Sequence, residues 1–365
     1  MGDTYVRVSG AARKVADAYR KVGGVWVPAT ELHAVVPALK QSKQVFNAEV
    51  IVAAQATGIQ SLSAIFNAAQ PGLWASSKRK RLLVNLARGP LLIDSDFGGE
   101  LTIEVVAGGV ISGNGGAGST AIGAAGAAGG AAINVLSNVT KKALLVNNGI
   151  IRGGGGGGGK GGTGGQGGAG SYQQSVTEGP FYSRSAPLYL YTIGGGFSSV
   201  CWNSSSANVY SGSGSPNPIT QGIYTYYRGN LRETGKNGSI TIYYYELSRT
   251  YIADVPTIGG VGGAGGNGGR GIGWDGARAN GAGGAAGATG GQNAGAGGTG
   301  GVGGNGGDWG AAGSNAAVGN AGGAGNNGGG GAGGAASASG AGGRAVIGYA
   351  RLNYEGSGSL IGGTS

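Results

Sequence analysis

Residues 259–270 read GGVGGAGGNGGR and open a glycine-rich stretch that ends at Gly343 and decides the fold. Glycine recurs at every third position in later runs, for example from 295 to 313. A period of three fits neither the 3.6-residue α-helix nor the two-residue repeat of a β-strand. It matches the left-handed polyproline II helix, which has three residues per turn.

A helix of this type makes no hydrogen bonds within itself, so its backbone groups need partners on neighbouring chains or segments. Collagen supplies them with three proline-rich chains, but no proline follows Pro256. The sequence therefore predicts an ordered bundle of glycine-rich helices, packed closely because glycine has no side chain. A flexible linker is the alternative, and the near absence of charge disfavours it. Breaks in the period predict turns at 272–280, 292–294, 314–318 and 335–339.

Composition makes an ordinary enzyme domain unexpected. Of 365 residues, 90 are glycine and only 11% are charged. The formal charge of +10 favours anionic surfaces such as lipopolysaccharide only weakly, because the basic residues do not form one continuous patch. A single cysteine, Cys201, excludes a disulfide framework within the chain. No segment has the pattern of a signal peptide or a membrane span, and neither membrane insertion nor nucleic-acid binding is predicted.

The rest of the chain divides by composition. Tyr5–Gly10 is echoed at Tyr19–Gly24, which predicts two small hairpins, followed by a connector at 31–44. Strands are predicted at 45–52, 82–86, 101–106 and within 133–151, with one helix at 59–69.

The fold class is therefore mainly β with a polyglycine II helix bundle and little α-helix. Its expected parts are attachment hairpins and connector (1–44), a β-rich domain with one short helix (45–152), a first polyglycine II arm (153–170), an inserted tyrosine-rich β-domain (171–258), the polyglycine II bundle (259–343) and a closing strand (344–365).

Motifs for catalysis or cofactor binding fail on inspection. His33 stands beside Leu32 in the connector and has no cysteine partner nearby in the sequence. Gly154–Lys160 imitates a phosphate loop, but Gly161 stands where a magnesium-binding hydroxyl is required. We therefore predict neither an enzyme nor a cofactor.

Each of two charged clusters can be interpreted either as an ion-binding site or as solvated surface. Residues 78–81, KRKR, could bind anions, although a solvated turn is the commoner interpretation. A solvated sheet edge is favoured over a calcium site for the acidic residues between 94 and 104, and a calcium ion near Asp94 and Asp96 is left open.

Tyrosines are the stronger functional signal. Residues 171–258 contain twelve of the sixteen tyrosines, and Lys236-Asn237-Gly238 predicts a hairpin turn between two tyrosine-rich strands. A sheet of this size cannot bury all twelve, and exposed aromatic side chains supply rigid contact area at low entropy cost. The candidate receptor contacts are Trp202, Tyr226, Tyr227, Tyr243 and Tyr245 in the insertion, and Trp274, Asp275, Arg278, Asp308 and Trp309 at or near the bundle turns.

The order of these parts resembles the glycine-rich tail-tip and tail-fibre adhesins of tailed bacteriophages. The resemblance rests on the early repeat (YVRV…VGGVW), the strand 146–152 (VNNGIIR) before the poly-glycine run, the Gly-Gly-X repeats and the closing GRAVIGY at 343–349. It covers most of the chain outside 171–258, an insertion that departs from the compact form of that family.

The resemblance implies a virion protein of the distal tail, outside the cell, whose polyglycine II bundle presents variable turns to a bacterial surface receptor. Those turns would be 272–280 and 308–318 here, with the insertion taking over part of the binding. Residues 1–44 would join other tail proteins, and whether the chain forms a homotrimer is left open. The alternatives are a structural glycine-rich protein without receptor binding, similar to mycobacterial surface proteins, and an ice-binding bundle.

Overall fold

The computed structural model describes the backbone of residues 5–8, 11–14, 19–22, 25–28, 31–36, 41–47, 49–54, 58–181, 188–193, 197–202, 208–213 and 217–365. Side chains are described from residue 49 onward, apart from 55–57, 182–216, 237, 240 and 242. The architecture is mainly β, with one α-helix in this described part of the chain.

Three antiparallel hairpins begin the chain. The first two confirm the hairpins predicted from the tandem repeat. The third occupies the segment predicted to be a connector, which was wrong, because residues 31–36 and 41–47 pair as antiparallel strands. The six strands are β1 (Tyr5–Val8), β2 (Ala11–Lys14), β3 (Tyr19–Val22), β4 (Val25–Pro28), β5 (Glu31–Val36) and β6 (Gln41–Asn47).

Short strands and one helix follow. The helix α1 (Leu62–Ala69) confirms the predicted helix, and its first turn is capped by the Ser61 hydroxyl, which accepts a hydrogen bond from the Ala64 N–H at 3.1 Å. The strands are β7 (Val50–Ala53), β8 (Gln60–Ser61), β9 (Lys80–Val84), β10 (Ala87–Arg88), β11 (Leu91–Ile93), β12 (Leu101–Val105), β13 (Val110–Ser112), β14 (Ile133–Val135), β15 (Ala143–Asn147) and β16 (Ile150–Arg152).

The tyrosine-rich insertion is one antiparallel sheet, and β23 is its central strand. The predicted hairpin is confirmed, since Asn237 and Ile240 are register partners on either side of Gly238. The strands are β17 (Gly170–Phe181), β18 (Leu188–Ile193), β19 (Phe197–Trp202), β20 (Asn208–Ser213), β21 (Ile219–Gln221), β22 (Tyr224–Asn237) and β23 (Ile240–Thr257).

The C-terminal part was predicted as one closing strand, and that prediction was wrong. It contains β24 (Val346–Ile347), a 3₁₀ turn (Tyr349–Arg351), β25 (Leu352–Glu355) and β26 (Ser359–Ile361). The three strands belong to three different sheets. Gly348 has a φ of 76°, in the left-handed region, and this turn separates the first two strands.

These short strands build a three-sided parallel β-solenoid. Sheet 1 has the order β25-β15-β12-β9-β7, sheet 2 the order β24-β14-β11-β8, and sheet 3 the order β10-β13-β16-β26. All neighbours within these sheets are parallel. Inward residues stack from coil to coil, as in the fully buried row of Leu82, Ile103 and Leu145. This row lies in the main hydrophobic core of the molecule.

Two excursions leave the solenoid at the same side. Residues 113–131 leave sheet 3 after β13 and return to sheet 2 at β14, and residues 153–345 leave sheet 3 after β16 and return at β24. Apart from the inserted sheet, both consist of glycine-rich segments, which together we call the glycine array. Its segments are 113–120, 124–131, 153–169, 258–273, 277–290, 294–308, 311–325 and 328–344.

Hydrogen bonds between these segments recur at every third residue. The N–H groups of Gly155, Gly158 and Gly161 donate to carbonyls of 258–273 at 2.8–2.9 Å, and the series continues to Gly167. Gly156, Gly159 and Gly162 donate in the same rhythm to carbonyls of 311–325. Successive residues of 153–159 thus donate their backbone hydrogen bonds to different neighbouring segments.

The central segment, 153–169, has six neighbouring segments. It donates to 124–131, 258–273 and 311–325, and it accepts from 113–120, 294–308 and 328–344. A Cβ atom on Gly155, Gly156 or Gly157 would lie 1.9–2.1 Å from a carbonyl oxygen of one of these neighbours. Six-sided contact therefore explains the seven consecutive glycines 153–159.

The glycine run ends where two neighbours end. Segments 113–120 and 124–131 cover only the first half of the central segment, with the last bond from Ser119 N–H to Gly158 O at 2.9 Å. Beyond that point every third residue is released from close contact, and Lys160, Thr163, Gln166 and Ala169 carry side chains there. The sequence therefore changes from poly-glycine to Gly-Gly-X at the point where the number of neighbouring segments falls.

The turns of the array agree only partly with the predicted breaks. Turns occur at 274–276 and 291–293, within or overlapping two predicted breaks. Within residues 259–343 the other two turns lie at 309–310 and 326–327, so the predictions at 314–318 and 335–339 were wrong. Residues 314–318 stay within a segment because their side chains occupy outward positions while Ser314 and Ala317 still donate to segment 294–308.

Candidate functional site

The inserted sheet emerges from the end of the glycine array that lies farthest along the central segment from the solenoid. Gly153 directly follows β16 of the solenoid, and Ala169 directly precedes β17 of the inserted sheet. We call these the solenoid end and the distal end. The first residue of β17, Gly170, and the last residue of β23, Thr257, are register partners, so the sheet begins without a linker.

Two turns of the array hold the root of the inserted sheet, at residues 170–171 and 256–257, which we call the neck. The Ser171 carbonyl accepts hydrogen bonds from the Nδ2 atoms of Asn293 and Asn326, each at 3.0 Å, and the Ser171 N–H donates to Asn326 Oδ1 at 2.9 Å. On the other strand, the Thr257 hydroxyl donates to the Gln292 carbonyl at 2.7 Å. Sequence reasoning predicted one of these turns but missed both asparagines: Asn293 lies in the predicted break at 292–294, whereas the glycine period continues unbroken past Asn326.

On one face of the inserted sheet, tyrosine and arginine side chains stack against one another. Tyr226 and Leu247 are buried there, with Tyr224 packed against them. The Arg249 guanidinium lies 3.9 Å from the centre of the Tyr224 ring and pairs with Glu178 at 2.7 Å. This face forms a small second core of the sheet, separate from that of the solenoid.

The predicted contacts in the insertion do not form one exposed surface. Tyr226 is only 5% exposed, and this correction follows from its place in the second core. Tyr227 points to the opposite face and is 41% exposed. Tyr243 and Tyr245 are half-buried. The side chain of Trp202, like that of His33, lies outside the described residues.

The predicted contacts in the bundle turns lie together at the solenoid end. Trp274 N–H donates to Gly113 O at 3.0 Å, and Gly310 N–H donates to Gly153 O at 2.9 Å. Trp274 is 37% exposed, whereas the Trp309 ring is covered by the guanidinium of Arg152 at 3.7 Å. The two turns therefore lie beside the solenoid and away from the inserted sheet.

Charged residues of these turns are paired with one another. Asp275 binds Arg270 at 2.8 Å, and Asp308 binds Arg278 at 2.5 Å. All four carry substantial exposure, so each pair contributes modestly to stability.

The basic run 78–81 leads from a bend at Lys78 into β9 and is not an open anion site. Lys80 is buried at the start of β9, and its ammonium donates to the carbonyls of Ser76, Lys78 and Gly98 at 2.5–2.8 Å. Burial, and then the charge of Lys141, lower the pKa of Lys80. On either side of Lys80, Arg79 pairs with Glu100 and Arg81 with Glu104, each at 2.8 Å.

The acidic residues considered for calcium are likewise engaged separately. Asp94 accepts from the hydroxyls of Ser61 and Ser63 at 3.0 and 2.6 Å. Asp96 accepts from the hydroxyl and N–H of Thr140 and from the N–H of Lys141 at 2.7–3.0 Å. Among the residues that the structure describes, no cluster of His, Cys, Asp or Glu is arranged to hold a metal ion.

Comparison with known families identifies the class of protein. The sequence model of the phage tail fibre adhesin Gp38 matches residues 38–250, more than half of the chain. The chain belongs to this family of phage tail fibre adhesins. The matched range contains the solenoid strands up to β16, the central segment and most of the inserted sheet, and it ends before the long glycine-rich stretch. No curated protein and no solved structure gives a match.

Family membership makes the protein a component of the virion tail that takes part in host attachment. It also confirms the resemblance drawn from the sequence, although the match includes the insertion that had been set apart. No helix in the described part of this adhesin is long and apolar enough to cross a bilayer.

Proposed function

We propose that the adhesin presents its inserted sheet, residues 171–258, to a bacterial surface receptor on a rigid polyglycine II bundle. The observation that carries this proposal is the position of the sheet at the distal end, where both of its strands are held by turns of the array. The opposite end of the array is continuous with the solenoid. An element fixed at the far end of a stiff support pays little ordering entropy when it binds.

Two features support the polyglycine II assignment. Hydrogen bonds leave successive residues of the central segment toward different neighbours and repeat every three residues, as expected for a helix with three residues per turn. The Cβ positions of its glycines coincide with neighbouring carbonyls, a spacing at which Cα–H···O contacts also form.

Exposure ranks the receptor contacts within the sheet. Tyr227 is the leading candidate because it combines an aromatic ring with an exposed position, and Ile252, 54% exposed, lies on the same face by alternation. Trp202, Tyr243 and Tyr245 are candidates of second rank, and Tyr226 is assigned to the core. The turn residues Trp274, Asp275, Arg278, Asp308 and Trp309 form an alternative recognition surface at the solenoid end.

The test replaces residues 172–255 by a short Gly-Ser loop. Ser171 and Pro256 are register partners, so their Cα atoms lie about 5 Å apart and a loop of about four residues can join them. We expect binding of the purified protein to host cells to fall to background while the array keeps its melting temperature. Trp274→Ala and Trp309→Ala in the intact chain serve as matched changes at the solenoid end and should leave binding unchanged.

Host binding by the loop-exchanged protein at the level of the parent would contradict the proposal. If Trp274→Ala or Trp309→Ala then abolished that binding, recognition would lie in the turns of the solenoid end. If neither did, the structural role without receptor binding would be favoured for the array and the insertion.

A further inference from the structure

The neck of the inserted sheet contains a clamp made of two asparagine side chains. Asn326 binds the backbone of Ser171 twice, donating to its carbonyl and accepting from its N–H, as a neighbouring β-strand would. Asn293 donates a second hydrogen bond to the same carbonyl. Side chains from two different turns thus bind both backbone groups of Ser171 at the root of β17.

The two turns are also joined to each other. Asn326 N–H donates to Asn293 O at 3.1 Å, and Asn293 is the one non-glycine residue of the described chain with a positive φ, at 59°. Asparagine adopts this left-handed conformation more readily than most residues. The second neck strand is tied to the same turn through Thr257 and Gln292. Rotation of the sheet about its neck would break several of these bonds together.

We propose that Asn293 and Asn326 are positioning residues for receptor binding, which fix the angle between the inserted sheet and the glycine array. This inference rests on the proposed function of the sheet. A sheet free to swing on its two neck strands would have to be ordered when the adhesin binds, and that cost would lower its affinity. Clamping the Ser171 peptide removes this cost before the receptor is met.

The test uses Asn326→Ala, Asn293→Gly and the double variant. Glycine keeps the positive φ at position 293 while removing the amide. Asn320→Ala is the matched control. It removes an asparagine side chain of the same array, whose amide donates to the Thr299 hydroxyl and lies away from the neck. In a Cys201→Ser background, spin labels placed by Lys142→Cys on the solenoid and Lys236→Cys on the sheet report the angle between them through their distance distribution.

We expect a narrow distance distribution in the parent and in Asn320→Ala, and a distribution at least about twice as wide in the double variant. The dissociation constant for vesicles of the host cell envelope should rise about tenfold in the double variant, with each single variant between. The melting temperature of the array should not move, because its interior bonds are intact. A change in affinity at constant melting temperature separates a positioning role from a purely structural one.

Two results would overturn the inference: a distribution in the double variant as narrow as in the parent, or a wide distribution with unchanged affinity. Failure of the proposed function has a different signature. In that case the loop-exchanged protein, which lacks the sheet, would bind the vesicles as well as the parent does.

Discussion

A single methyl group at the centre of the glycine array should destabilise it strongly. In Gly157→Ala the new Cβ would lie 1.9 Å from Ala117 O, whereas carbon and oxygen atoms in contact stay about 3.3 Å apart. The neighbouring segments must therefore separate by more than 1 Å, roughly the difference between these distances. Two hydrogen bonds join these segments, from Gly116 N–H to Gly155 O at 2.8 Å and from Ser119 N–H to Gly158 O at 2.9 Å, and such a shift takes them beyond bonding range. Loss of these two buried bonds, at about 1–2 kcal/mol each, predicts a destabilisation of about 2–4 kcal/mol.

The matched control is Gly283→Ala, on the outer segment 277–290, where a Cβ atom would meet nothing within 4 Å. Alanine there should stabilise the protein by about 0.4–1 kcal/mol, because it restricts the unfolded chain. Urea denaturation followed by hydrogen exchange of amides 154–168 measures both variants. The two substitutions should shift the midpoint in opposite directions. If Gly157→Ala unfolded at the midpoint of the parent, the close packing around the central segment would be refuted.

Two further predictions concern the solenoid and the N-terminal hairpins. Arg88 is 1% exposed, its two Nη atoms have no partner among the described residues, and burial lowers its pKa to about 10. A depressed arginine pKa means that the buried cation costs stability at neutral pH, a cost relieved only as pH rises above about 10. Arg88→Met should therefore raise the free energy of unfolding measured by calorimetry by about 1–3 kcal/mol. Arg79→Met, at an exposed ion pair, is the control and should change the free energy of unfolding little. A loss of stability in Arg88→Met would contradict this account. A chain that begins near Gln44 should fold and bind host cells but fail to join phage particles, and normal incorporation into particles would show that residues 1–44 are not the attachment site.

Local sequence pattern determined much of this protein. The tandem repeat predicted two hairpins, Lys236-Asn237-Gly238 predicted the turn of the β22–β23 hairpin, and residues 59–69 contained the one described α-helix. The period of three predicted that segments of the glycine-rich stretch would lie side by side. These features follow from contacts between residues close in the chain, or from a repeat that leaves one backbone geometry open.

Only the tertiary structure decided how distant parts combine. Leu144 pairs with Asn353 across the entire excursion that contains the array and the inserted sheet, and no local pattern announces such a parallel partner. Alternation placed Tyr226 and Tyr227 on opposite faces but could not tell which face the sheet covers with Phe181 and Ile219. The same holds for the turns, since glycine at every third position does not encode which end of a segment faces the solenoid. Trp274 and Trp309 therefore lie at the solenoid end and Asn293 and Asn326 at the distal end, because segment lengths and packing set that order and the local sequence does not.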